Sequence, residues 1–156
     1  MSSADAEPVQ GTLYRLVPNW QGYWDYENHK PYSRAFRRDE HGEVSMLLAS
    51  RITLGKIQEV QPGFGVVTFE AEELLNPPPL PPQAFRPKKK PPERNVSIEP
   101  RPDPMWGDAH FVVLGITKSL EEWLYQLGKE PGRLVQEPGP VAPYPVDPAD
   151  AAPPAE

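Results

Sequence analysis

Proline decides what this chain can fold into. Of its 156 residues 23 are proline; 11 of these lie in 77–104 and eight in 131–156. Each proline holds φ near about −65° and removes a backbone donor. Segments so dense in proline supply few of the hydrogen bonds a core needs, so the foldable chain is read as 11–76 plus 96–128. The expected organisation is a disordered leader at 1–10, one α+β domain over 11–128 interrupted by a Pro/Lys-rich segment at 77–95, and a disordered Pro/Ala-rich acidic tail at 129–156. That length suffices for one modest core and leaves little room for a deep enclosed site.

Inside the domain, apolar patterning predicts the elements. Thr12–Val17, Gly65–Phe69 and His110–Ile116 are rich in β-formers and read as strands. The nearly continuous apolar content of His110–Ile116 predicts a central position in a sheet. Val44–Ile52 is a further apolar run, read as a strand or buried element, and Val96–Glu99 is a candidate strand. Thr53 is placed to cap a short helix over 54–61, and Ala71–Asn76 reads as another. The clearest helix spans 119–128. Leu120, Trp123, Leu124 and Leu127 form one apolar stripe, Ser119 and Glu122 a capping box, and Gly128 a left-handed stop before Pro131. Together these predict a mixed or antiparallel sheet of four or five strands, with the last helix packed on one face through Trp123 and its leucines.

Charge and composition narrow the chemistry. There is no cysteine, so thiolate catalysis and cysteine-held metals are excluded. His29, His41 and His110 lack partners at ligand spacing, so no metal and no cofactor is expected. Net charge is −6, the wrong sign for a general polyanion binder. No apolar run approaches the roughly 20 residues that span a bilayer, and the first ten residues lack a signal-peptide pattern. The reading is a cytoplasmic protein with no membrane and no nucleic-acid partner.

Candidate sites are few. Asp108 and His110 are two apart, which on a strand puts them on one face, as a base and its orienting carboxylate. Between 14 and 38 aromatic and cationic residues interleave. Trp20, Tyr23, Trp24, Tyr26, Arg34 and Arg37 are candidates to bind a protein partner, and the interspersed Asp25, Glu27, Asp39 and Glu40 argue against nucleic acid. No serine lies in a nucleophile elbow, and Gly63-Phe64-Gly65 reads as a turn. The primary reading is a non-catalytic protein–protein interaction module or accessory subunit. The alternatives are a small enzyme acting on a nucleotide or NAD and a structural subunit of a larger assembly.

Three resemblances accompany these residues. Pro78-Pro79-Leu80-Pro81 resembles a WW-domain ligand, which would engage a partner as a preformed polyproline II helix; otherwise the segment is a stiff spacer, with Lys88-Lys89-Lys90 as its basic run. Arg15 on the first strand followed later by Glu70-x-Glu72 resembles the arginine and glutamate-x-glutamate order of some ADP-ribosyltransferases. The resemblance implies that Arg15 would hold NAD and a glutamate would stabilise an oxocarbenium-like centre; that family's Ser-Thr-Ser strand is absent here. Finally, Leu13-Tyr14-Arg15, Ser33-x-Ala35-Phe36, Gly63-Phe64-Gly65-Val66, Pro102-x-Pro104, Ala109-His110 and Gly115, in that order, resemble a loose group of short uncharacterised bacterial proteins. That resemblance implies a neighbourhood of defence or toxin genes.

Overall fold

The computed structural model describes residues 9–77 and 96–143. The chain is an α+β fold built on one antiparallel sheet. In chain order the strands are β1 (Thr12–Val17), β2 (Trp24–Asp25), β3 (Lys30–Pro31), β4 (Val44–Leu48), β5 (Gly65–Glu70), β6 (Ser97–Pro100), β7 (His110–Leu114) and β8 (Leu134–Gln136). The helices are α1 (Leu54–Val60), α2 (Ala71–Leu74) and α3 (Lys118–Gly128), with a 3-10 turn at Ser33–Phe36. Six strands form the main sheet in the order β6-β7-β4-β1-β5-β8, and β2 and β3 form a separate ribbon. Every pairing is antiparallel.

Period-two alternation sorts the side chains onto two faces. On one, Leu13, Val17, Val44, Met46, Val67, Phe69, Phe111 and Val113 meet Leu120 and Leu124 of α3, Phe36 of the 3-10 turn and Leu74 of α2. On the other, Leu47 and Val66 meet Ile57 of α1, with Tyr14, Leu16, Leu54 and Trp106 packed at the margin. Both faces are covered, which is why the strands read as almost unbroken apolar runs.

Three expectations about elements are corrected. The sheet has six strands rather than four or five, because β8 lies in the stretch read as tail. Leu134 pairs with Val67 and Gln136 with Val66, and the Thr68 amide donates to Arg133 O at 2.8 Å. Proline did not prevent this, because none lies within β8; Pro131 and Pro138 flank it. The domain therefore runs past residue 128; residues 137–142 continue as a strap across the sheet end. The second correction concerns α3. Its cap is Thr117, one residue before the helix and two before Ser119, and Thr117 Oγ1 accepts from the Leu120 amide; Glu122 accepts from the Gln126 side chain. Trp123 is only half-buried, and the stripe that seats the helix is Leu120, Leu124 and Gly128. The third correction concerns Gly128, which is the last helical residue and not a left-handed cap. A Cβ there would collide with the Phe36 ring.

Other local signals hold. Thr53 caps α1 by accepting from the Lys56 amide at 3.0 Å. Glu70 and Glu73 cap α2 reciprocally, the Glu70 amide donating to Glu73 Oε2 at 2.8 Å. Gly63 has φ of +89°, as its turn requires. A fourth expectation is corrected here: β7 is paired on both sides but stands second from the edge, not at the centre. Among the described residues no helix is long and apolar enough to cross a membrane. Residues 1–8 of the leader, the Pro78–Pro81 motif, the Lys88–Lys90 run and residues 144–156 of the tail lie outside the described residues.

Candidate functional site

Residues 19–38 are expected to form an aromatic loop, and the structure shows how so little regular structure is held in shape. The ribbon of β2 and β3 folds about Asp25, whose carboxylate accepts from the Glu27 amide at 3.0 Å, the Asn28 amide at 3.1 Å and the Asn28 side chain at 2.8 Å. These donors, the Asn28 side chain foremost, hold the Asp25 carboxyl below the usual carboxylate range. His29 takes φ of 56° to close the turn. Trp24, 2% exposed, and Phe36, fully buried, tie the loop to the core. Trp20 stacks edge-on against Tyr23 and Phe64, with ring centres 5.3 and 5.4 Å apart.

The strap at 137–142 completes the loop from outside. Tyr26 Oη donates to Gly139 O at 2.9 Å, Asn19 Nδ2 to Pro140 O at 2.8 Å, and the Ala142 amide to Asn19 O at 2.8 Å. Proline lacks a donor, but its carbonyl and those of its neighbours are strong acceptors, and two of these three bonds use them while the Ala142 amide donates the third. Partial burial pushes the Tyr26 hydroxyl pKa up, so it stays a donor.

Between ribbon, strap and 3-10 turn lies an open groove of about 930 Å³. Trp24 forms its floor; Tyr26, Tyr32, Arg34, Arg37 and Val141 stand along it, with Asp25 and Glu27 on the ribbon side. Tyr26 is 38% exposed, Tyr32 42% and Val141 57%. Of the expected binding residues, Tyr26, Arg34 and Arg37 thus share one surface. Trp24 is there as support; Trp20 and Tyr23 are half-buried and do not line the groove. Arg34 lies over the Tyr23 ring at 4.8 Å. Tyr32 is one of the interleaved aromatics of 14–38, whereas Val141 was not foreseen as a site residue. Tyr32 was legible as an exposed aromatic beside Pro31, whereas Val141 depended on strap docking.

A second, smaller cleft of about 190 Å³ opens where the sheet splits. β1 and β4 pair at Leu13–Leu48 and Tyr14–Leu47 and then diverge. Arg15 fills the opening. Its Nε donates to Ala35 O at 2.8 Å, its Nη1 to Ser45 O at 2.7 Å and its Nη2 to Arg37 O at 3.5 Å. Burial depresses its pKa to about 10, against a weaker upward pull from Asp39. His110 also borders the cleft. Its Nδ1 lies 2.6 Å from Arg101 O, an acceptor only, so Nδ1 carries the proton.

The candidate catalytic residues do not assemble. Arg15 and His110 share the cleft. Glu70 lies at the far end of β1, opposite Thr12, where its carboxylate accepts from the Thr12 hydroxyl at 2.9 Å and caps α2. Glu72 is exposed on α2. The ADP-ribosyltransferase-like order of Arg15, Glu70 and Glu72 is therefore not a site: strand alternation turns Arg15 toward α3 and Glu70 toward the other face. The Asp108–His110 pair fails too, because β7 begins only at His110. Asp108 is exposed, its carbonyl accepts from Arg51 at 3.0 Å, and the carboxylate near His110 is that of Asp103, at 3.7 Å. Ser45, Phe64 and Trp106, which line the cleft, carry no sequence pattern that marks them. No family model matches this sequence, and the curated proteins and the solved structures yield no match either.

Proposed function

We propose that the chain is a non-catalytic interaction module, or accessory subunit, that engages a protein partner through the groove of the 20–38 loop. The observation that supports this is the clustering of Tyr26, Tyr32, Arg34 and Arg37 along one open groove. Tyrosine and arginine are the side chains that contribute most at protein interfaces: each offers a large contact area together with hydrogen-bond donors. The surface is also pre-formed. Trp24, Phe36 and the Asp25 turn hold the loop, so little ordering entropy remains to oppose binding. Glu27 on the opposite wall and the net charge of −6 favour a protein over a polyanion.

The test is a photo-crosslinking side chain at position 32 in cells of the native host, followed by affinity measurement with the captured protein. Tyr32→Ala and Arg37→Glu leave the core untouched, and each is expected to weaken binding at least about tenfold, equivalent to about 1.4 kcal/mol, with an unchanged melting temperature. Undiminished affinity in both variants would refute the reading.

A further inference from the structure

The Arg15 cleft has a feature that the interaction reading leaves unused. A guanidinium has five N–H donors, and among the described residues Arg15 makes three hydrogen bonds, all to backbone carbonyls. No carboxylate lies within ion-pair distance of it among the described residues; Asp39 acts only from farther off. A buried charge is ordinarily paired, because its desolvation is costly otherwise. Here the cleft is bordered by Arg15 itself and by Ala35 and Ser45, the residues whose carbonyls hold its guanidinium. Leu16, Leu47, Phe64 and Trp106 supply apolar and aromatic wall, and Tyr14, Tyr23 and His110 border the cleft as well.

Size sets the scale of what fits. A cavity of about 150 Å³ admits benzene, and this cleft measures about 190 Å³. There is room for one small ring and one small polar group. We propose that the cleft binds a small carboxylic acid on a flat apolar body, with Arg15 taking the carboxylate and Leu16, Leu47, Phe64 and Trp106 enclosing the body. A carboxylate presents two acceptor oxygens, and two guanidinium donors remain to meet them. This site is separate from the groove and stands whether or not the groove binds a protein.

Benzoate is the probe, with benzamide as its neutral isostere and acetate as charge without body. Titrated into the full chain, benzoate is expected to raise the melting temperature in a saturable way, quench Trp106 emission, and shift the amide resonances of residues 14–16, 45–47 and 106. Benzamide and acetate are each expected to bind at least tenfold more weakly. Arg15→Lys should lose most of the benzoate response, but its three carbonyl bonds make Arg15 important to folding, so the decisive comparison is made on the unaltered protein. Equal responses to benzoate and benzamide, or resonance shifts that map away from the split between β1 and β4, would overturn the proposal.

Discussion

Single residues here act by filling or leaving space that distant parts of the chain define. Arg15 looks from its strand like an outward-pointing charge. Its position between diverging strands makes it a substitute for missing ladder bonds, joining β1 to β4 and to the 3-10 turn. Two glycines show the same dependence on context. Gly55 sits inside α1, where an added Cβ would meet nothing nearer than Thr53 Oγ1 at 3.9 Å. Gly128 sits inside α3 against the fully buried Phe36. Helix propensity favours alanine over glycine at both positions by about 0.5–1 kcal/mol. At Gly55 nothing opposes that gain, and Gly55→Ala should stabilise by that amount. At Gly128 the ring must move within a packed core, at a cost of about 1–3 kcal/mol, so Gly128→Ala should be net destabilising. Urea unfolding of the two variants, expected to shift in opposite directions, checks the argument.

At the scale of elements, β8 is the instructive case. It buries little apolar surface of its own; Leu134 is the main contribution. Its attachment depends on the Thr68–Arg133 backbone bond and on Arg133 spanning Glu73 and Glu130. The Arg133 side chain holds the Glu73 carboxyl below its ordinary range, despite a partial desolvation that acts the other way. A depressed carboxyl pKa contributes stability above the unfolded value and loses it as pH falls through the folded one. Docking of β8 should therefore weaken as pH drops below about 4.3, the unperturbed glutamate value. Both partners are partly exposed, so the effect is modest and screened by salt. Amide protection at Thr68 and Gln136, corrected for the fall of intrinsic exchange with pH and followed from pH 6 to pH 3, should be lost before that of β7, and in Arg133→Gln it should already be low at pH 6. Equal acid sensitivity of β7 and β8 would contradict this.

For the whole molecule, the question is where the folded unit ends. Composition placed the boundary at 128, since beyond it proline, glycine, alanine and acids predominate. The structure carries the unit to Ala142, through β8 and the strap that Asn19 and Tyr26 hold. Removing 129–156 exposes the β5 edge and strips the 20–38 loop of its outer support. It should lower the melting temperature by several degrees and favour association through that edge. Removing only 144–156 should lower it less, and calorimetry of the two truncations decides between the boundaries.

What was readable in the sequence is what local physics settles. The apolar runs of β1, β5 and β7, the Thr53 cap, the Gly63 turn, and the α3 stripe through Leu120 and Leu124 depend on neighbours along the chain. The α+β class follows from them. The sequence also marked Tyr26, Arg34 and Arg37 as surface candidates, because exposed aromatics and arginines declare themselves by composition. The misplaced features depend on residues far apart in the chain. Whether Arg15 and Glu70 meet is set by the two-residue period of a sheet whose partners lie some 55 positions apart. Whether 137–142 docks is set by carbonyls matching Asn19 and Tyr26, more than 110 residues away. A proline-rich stretch displays its missing donors in the sequence; the acceptors it still offers become visible only once another part of the chain is placed beside them.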